Sequence, residues 1–525
     1  MDGVTRITQC PIEPGETFTY KFVASNKDTH WYHAHSGVQR TEGLYGAFIV
    51  TESYAAADKN NSDNKSDSND ANRDVKDGYE QEFYFIVQEW LQQDSLSVFN
   101  YVNWENTKFF NSFTETTNCF APNRMDDGTP VAPVPYNLKK KMDAILINGK
   151  GWYNLPVALQ YVDSWGSNAF NLPLEVFTVK PNKKYLFRVI GANAGHALEI
   201  TIGGHKMTIV ASDGKKCRKV NCPFWPSQND GPFDCISPGL YKSLSSSIPE
   251  SDRIDMFKNQ YKKEEFEEHF LNFHFSGSTS QRASINGRQF ILPSYPPFFE
   301  KDFDKAIVPC RNSCIEESTC DCTNKLKIGT NKIIQLIIYN MGKGAGIDGT
   351  AHPVHFHGHH FYVVAMGYPT YNYTNHRYKS SNTDINCKNE TNSFCNYAGW
   401  SNKYWSLGNI ASIPIANLVN PPIKDTIFVP VGGFIVARFR SNNIGLWFLH
   451  CHIEVHQAEG MALFIQEGSD DEIRSLVKFD EINLCHKGPN IPDKSASLNR
   501  ASQINDFKPI LILLTLLCII QHFSV

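Results

Sequence analysis

The sequence predicts an all-β protein, and three observations carry that prediction. Apolar and aromatic runs five or six residues long recur between turn-forming residues: Phe18-Thr19-Tyr20-Lys21-Phe22, Phe83-Tyr84-Phe85-Ile86-Val87, Tyr185-Leu186-Phe187-Arg188-Val189-Ile190 and Ile334-Gln335-Leu336-Ile337-Ile338. Such runs are too short for buried helices and rich in the residues that favour strands. Aromatic residues make up 13% of the chain, beside 34 Gly and 27 Pro, a composition that suits sandwiches of strands joined by turns. Heptads and short internal repeats are absent, and 525 residues suggest about three domains. A formal net charge of -4 gives no reason to expect a nucleic-acid partner.

Taken in order, the first interruption of the strand pattern is 55–78, rich in Asn, Asp, Ser and Lys and poor in large apolar residues. It cannot contribute to a core and reads as a mobile surface insertion. The charged segment Asp252–Phe270 is a helix candidate. Past Cys485 the chain turns polar, with Ser495, Ala496 and Ser497 ahead of Lys508, then ends in an apolar run, Pro509–Ile520. That run is shorter than the ~20 residues a spanning helix needs. Small residues, polar spacer and short apolar tail together match a cleavable glycolipid-anchor signal, with a short retained helix as the alternative. Either places the protein at the cell surface.

Fourteen cysteines point to an oxidising compartment. Setting aside Cys451 and the tail residue Cys518 leaves an even number for disulfides, with the connectivity open. Cys310, Cys314, Cys320 and Cys322 could bind zinc or form disulfides, and the disulfide reading is preferred because Asn60, Asn64, Asn372 and Asn389 each begin a glycosylation triplet.

The chemistry is concentrated in three windows. His450-Cys451-His452-Ile453-Glu454-Val455-His456 puts one thiolate and three imidazoles within seven residues, and Met461 follows ten residues after the Cys. On a strand, side chains alternate, so His450 and His452 face one way and Cys451 the other. A thiolate with two imidazoles and a distant thioether is the ligand set of an electron-transfer copper. His352-Pro353-Val354-His355-Phe356-His357 and His33-Ala34-His35 supply further imidazoles. Zinc is the rival metal, but one closed zinc site needs four ligands and the windows offer more.

These windows resemble those of the blue multicopper oxidases of the laccase family. The likeness runs from Met1-Asp2-Gly3 through Gly43-Leu44-Tyr45-Gly46 to about Cys485 and is weakest between Cys217 and Glu264. It implies three consecutive cupredoxin-like Greek-key β-sandwiches: an incomplete first domain at 1–142, a second at 143–305 and a third at 306–485 holding a type 1 copper, with 486–525 as spacer and anchor signal. It implies His352, Cys451 and His456 as type 1 ligands with Met461 axial, His355 on the type 2 copper, and His33, His35, His357, His450 and His452 on the type 3 pair. Glu454 and Asp2 are the implied proton carriers, Glu454 on the face of His452 if extension continues and Asp2 near the type 2 copper. Cys10 is implied to bridge to the middle domain. The remaining histidines, among them His30, His196, His205, His359, His360 and His376, read as structural or exposed.

The family carries a further window, His-x-His-Gly, just upstream of the Met-Asp-Gly that opens this sequence. Its absence leaves two readings: a piece of a longer protein, which is preferred because the start lacks a secretory signal while the rest looks secreted, or a short form with an impaired oxygen site. The resemblance implies a copper-dependent oxidase that takes single electrons from diphenol-type donors and passes four to dioxygen. Ascorbate or ferrous iron are the alternative donors. From another class, the chain could be a surface copper-binding protein that keeps the type 1 centre alone.

Overall fold

The computed structural model describes residues 2–24, 28–51, 78–91, 95, 144–151, 174–195, 198, 200, 202–213, 215–216, 255–258, 260–276, 282–311, 320–342, 351–371, 378–388, 394–410, 413 and 416–477. The polar insertion to residue 77, the four glycosylation triplets, His196, His376 and the C-terminal tail lie outside the described residues. The fold is all-β, with short helices.

Ile333–Tyr339 and Phe361–Gly367 are buried along their whole length, as strands covered on both faces must be. Together with Phe434–Arg440 they form the middle of an eight-stranded sheet that runs from Cys320–Cys322 through Arg288–Phe290, Arg282–Ile285 and Phe266–Ser276 to Ile423–Lys424 at its far edge. A five-stranded sheet has the order Lys325–Ile328, Ala462–Glu467, Gly445–Cys451, His352–Phe356, Thr426–Val429. Between the sheets lies one core, with Leu271, Phe273, Leu336, Ala437 and Phe439 from the first and Val354, Phe356, Leu449, Cys451 and Ile465 from the second. This is a β-sandwich.

The five-stranded sheet is covered on its other face too, where Leu446, Phe448, Ala462 and Phe464 pack with Val4, Ile7, Phe290 and Phe298. Alternation therefore sends Leu449 and Cys451 into the inter-sheet core, whereas Leu446 and Phe448 face the N-terminal segment. His450 shares the side of Phe448, on whose ring it stacks at 4.7 Å. A one-residue slip would exchange the two sets and push the His450 imidazole into the apolar core. With each buried Leu or Phe worth roughly 1.5–3 kcal/mol, the register is strongly held.

In the N-terminal part, Asp28–His33 pairs antiparallel with Tyr45–Val50. Gln81–Trp90 lies parallel to Tyr185–Gly191 and antiparallel to Ala144–Ile147. Arg188 ties these segments together, reaching Asp28 at 2.5 Å and Glu82 at 2.8 Å.

Three local expectations are corrected. Residues 18–22 form no strand; Phe18 and Tyr20 pack ring to ring at 4.6 Å, and the Tyr20 hydroxyl donates to Gln9. The helix candidate at 252–270 is helical at Asp255 but then leads into the strand Phe266–Ser276, where Phe266 and Leu271 are buried in pairing with Ile333–Tyr339 and Phe273 in pairing with Ile285. Extension past His452 also stops. Glu454–Glu459 is a short helix entered from extended Ile453 and closed by Gly460 at φ 113°. A Cβ at Gly460 would lie 2.5 Å from Cγ of Gln289, so only glycine makes this turn. The turn brings the chain back: Met461 N–H donates to the His456 carbonyl at 2.9 Å, and Cys451 N–H to the Met461 carbonyl at 3.0 Å.

Disulfides join Cys310 to Cys322 and Cys387 to Cys395, and Cys10 and Cys320 are also disulfide-bonded. The zinc reading of the 310–322 cluster is thereby set aside. Among the described residues Cys451 is the free cysteine, and no helix is long and apolar enough to cross a membrane.

Candidate metal centres

Cys451 ends its strand with Sγ in the inter-sheet core. His352, opening the neighbouring strand, turns Nδ1 to that sulfur at 3.5 Å, and His456, on the first turns of the short helix, turns Nδ1 to it at 3.6 Å. Metal bonds of about 2.3 Å to sulfur and about 2.0 Å to nitrogen, at tetrahedral to trigonal angles, separate the donors by about 3.5–3.7 Å. The distances fit one shared metal ion. Burial holds the His352 imidazole well below its ordinary pKa and that of His456 at about 3, so both rings are neutral. Burial also raises the Cys451 thiol to about 12, a proton that a coordinated metal would displace. Met461 is fully buried in the same core as Cys451.

On the opposite side of that strand six imidazoles converge, from residues 33–35, 355–357 and 450–452. His35, His357 and His450 offer ring nitrogens all within 4.8 Å of one another, with Nε2 of His357 and His450 3.2 Å apart. Nε2 of His33 and of His452 stand 3.3 Å apart. Two nitrogens at about 2.0 Å from one ion at a tetrahedral angle lie about 3.3 Å apart, so each couple suits a separate ion. His355 stands beside both, its ring centroid 4.7 Å from that of His357 and 5.5 Å from that of His452. Burial lowers the pKa of His35, His450 and His452 well below the ordinary value, and sets His33 and His355 at about 3. At His452 and His33 the Arg40 charge adds to that effect.

The outer ring nitrogens explain how Nε2 is kept free. Nδ1–H of His33 donates to the Ala34 carbonyl at 3.0 Å, that of His450 to the Cys451 carbonyl at 3.0 Å, and that of His355 to the Asp425 carbonyl at 2.9 Å. His357 Nδ1 meets the Asp2 carboxylate at 2.6 Å. Each acceptor fixes the tautomer that leaves the lone pair on Nε2, as outer-sphere partners of metal-bound histidines do. Asp2 thus stands behind His357, with burial pushing its pKa up and the facing imidazole pulling it below the ordinary value. Glu454 is buried and accepts from Thr41 N–H at 3.1 Å; burial raises its pKa to about 7 against the pull of Arg40.

Several neighbours carried no sequence signal. Arg40 is buried against His452, Phe275 stands edge-on to His456 at 4.8 Å, and Asp425 receives His355. They are single residues remote in sequence from their partners, so no spacing rule finds them. Of the histidines read as structural, His359 pairs with buried Glu467 at 2.7 Å, His360 reaches the Asp213 carbonyl at 3.3 Å, and His205 is exposed.

Residues 1–54, 121–223 and 299–471 each match a family described as multicopper oxidase, together well over half of the chain. The chain belongs to the multicopper oxidase family. Similar proteins include an L-ascorbate oxidase from Brassica rapa subsp. pekinensis, 25% identical over 89% of this chain and 80% of that protein. The iron transport multicopper oxidase FET3 of Gibberella zeae is 24% identical over 97% and 71%, and Laccase-1 of Fomitopsis schrenkii 23% identical over 90% and 74%. The laccase of Botrytis aclada shares the fold with a TM-score of 0.53 at 18% identity, covering 91% of this chain and 76% of its own. As a multicopper oxidase the protein is a copper-dependent oxidase with dioxygen as acceptor, and its cofactors are type 1, type 2 and type 3 coppers.

Proposed function

We propose that this multicopper oxidase takes electrons singly from diphenol-type donors beside Cys451 and delivers them to dioxygen across the ligand strand. The observation that carries the proposal is the opposition of the two clusters: the Cys451 sulfur faces His352 and His456, while His450 and His452, bonded to Cys451 through single peptide links, belong to the imidazole cluster. In this reading His352, Cys451 and His456 hold the type 1 copper with Met461 axial. His35, His357 and His450 hold one type 3 copper, His33 and His452 the other, and His355 the type 2 copper. When bound, copper supplies the one-electron redox chemistry and the site of oxygen reduction.

The residues do the rest. His352 and Cys451 are fully buried and His456 is partly exposed, so a donor meets the type 1 site at His456. There Phe275 supplies an aromatic wall to both imidazoles. Burial alone depresses His456, whereas a neighbouring carboxylate would raise it. Among the described residues this favours an organic donor over ferrous iron, whose oxidised product needs acidic ligands. A thioether at Met461 favours a low-potential copper suited to easily oxidised catechols. Glu454, with a pKa near 7, can hold a proton and release it at neutral pH, whereas Asp2, kept ionised by His357, can take one up only in passing. Disulfides and glycosylation triplets support an extracellular location.

The test is steady-state oxygen uptake by the copper-loaded protein with catechol, ascorbate and ferrous iron. Catechol is expected to give the highest kcat/KM. Uptake with iron alone would overturn the donor assignment, and blue colour with no uptake from any donor would overturn the oxidase reading of this chain.

A further inference from the structure

Among the imidazoles of the cluster, His452 is held in a different way from those whose Nδ1–H finds an acceptor. Its Nδ1 faces Arg40 Nη1 at 2.9 Å, the same nitrogen lies 3.3 Å from its Nε2, and Arg40 Nη2 donates to the His452 carbonyl at 3.0 Å. A guanidinium has donors alone. A nitrogen that close to both ring nitrogens lies over the face of the imidazole and on neither in-plane lone pair, so His452 has a cation against its ring where His33, His355, His357 and His450 have an acceptor opposite Nδ1.

Arg40 is built in rather than incidental. It is 1% exposed and lies in the turn that follows His35, with its carbonyl and that of Thr41 accepting from the Gln88 amide at 3.5 and 2.8 Å. Gln88 is in turn bonded by the Tyr45 hydroxyl at 2.5 Å. The Arg40 Nε lies 3.9 Å from the Glu454 carboxylate, which partly balances a charge otherwise costly to bury. Two donors of one planar fork thus grip the ring and the carbonyl of a single residue, a geometry that lysine cannot reproduce.

We propose that Arg40 is the positioning residue for His452: its two-point grip sets the imidazole against His33, and its fixed charge marks that position off from the His35–His357–His450 position. The inference rests on the reading of His452 as a copper ligand. A contact over the ring face leaves the in-plane lone pair of Nε2 open to a metal. Loss of the grip should weaken metal binding at the His33–His452 position, while the type 1 pocket, on the other side of the strand, keeps its colour.

The test uses the full chain loaded with copper and reads copper per chain, the blue absorption, the near-ultraviolet absorption of the coupled type 3 pair and the electron paramagnetic signal of an uncoupled copper. Arg40→Gln is expected to keep the blue band and lose affinity at one type 3 position by about 10–100-fold, with an uncoupled signal appearing. Arg40→Lys, which keeps the charge and loses the fork, should fall between; it also serves as the informative variant if the neutral one does not fold. A full complement of coupled copper in Arg40→Lys would overturn the two-point grip. The same result in Arg40→Gln, with only the melting temperature lowered, would reduce Arg40 to a structural role and overturn the whole inference. His452→Ala, run in parallel, separates the two levels: a coupled pair that survives it removes the ligand assignment itself.

Discussion

The pocket around Cys451 and the imidazole cluster on the other side of the same strand differ in how far their parts have travelled along the chain. Every residue of the first comes from one β-sandwich: His352 sits on the strand beside Cys451, and His456 and Met461 follow through one short helix and a glycine turn. The second joins residues 33–35 to 355–357 and 450–452, and Arg40 and Asp2 complete it from the N-terminal side. A local pocket is fixed by strand register and one turn, whereas the cluster exists only once distant segments have packed. The first should therefore tolerate disturbance of the N-terminal region and the second should not.

The largest effect that would test this contrast is Cys451→Ser. It is expected to abolish the blue band, remove one copper per chain and lower turnover by on the order of a thousandfold or more, because no soft ligand replaces the sulfur. Undiminished colour would end the assignment of the electron-transfer site. Next comes His357→Ala, which removes an imidazole shared with Asp2 and His450. Blue colour should persist while oxygen uptake falls at least ~100-fold, and loss of both together would show that the two sites are not separable as their construction implies. Met461→Leu is a near volume-conserving change and should cost less than about 1.5 kcal/mol of stability. With the thioether gone, the type 1 potential should rise and turnover change within about threefold; an unmoved potential in redox titration would mean that the sulfur is core and not ligand.

The smallest effect is a control remote from both centres. Glu268 is held by Trp400 and Gln335 on the eight-stranded sheet, and burial raises its pKa above the ordinary value. A raised carboxylate binds its proton more tightly in the folded than in the unfolded state. Its contribution is thus fully present below about pH 4.3 and is lost as pH rises through the folded pKa. Glu268→Gln should flatten that decline by on the order of 1 kcal/mol and leave both spectroscopic signals alone, as urea unfolding across pH would measure.

How much of this was legible in the residues varies element by element. Ile334–Ile338 and Phe83–Val87 read correctly as strands because their residues prefer strand geometry and each finds neighbouring strands to pair with. Phe18–Phe22 has the same look and forms none, since a strand exists by pairing and no partner among the described residues claims it. The opposition of Cys451 to His450 follows from alternation alone. By contrast, Glu454 lies on a helix because Gly460 turns the chain back, a backbone requirement set by the close approach of Gln289.

The sequence by itself determined the all-β class, the ligand types and their division between two faces of one strand, because periodicity and donor chemistry are local properties. Tertiary structure alone decided which imidazoles stand within reach of one another, that Asp2 stands behind His357, and that Arg40 lies against His452. Those depend on where side chains hundreds of residues apart come to rest, and no spacing within a window encodes that.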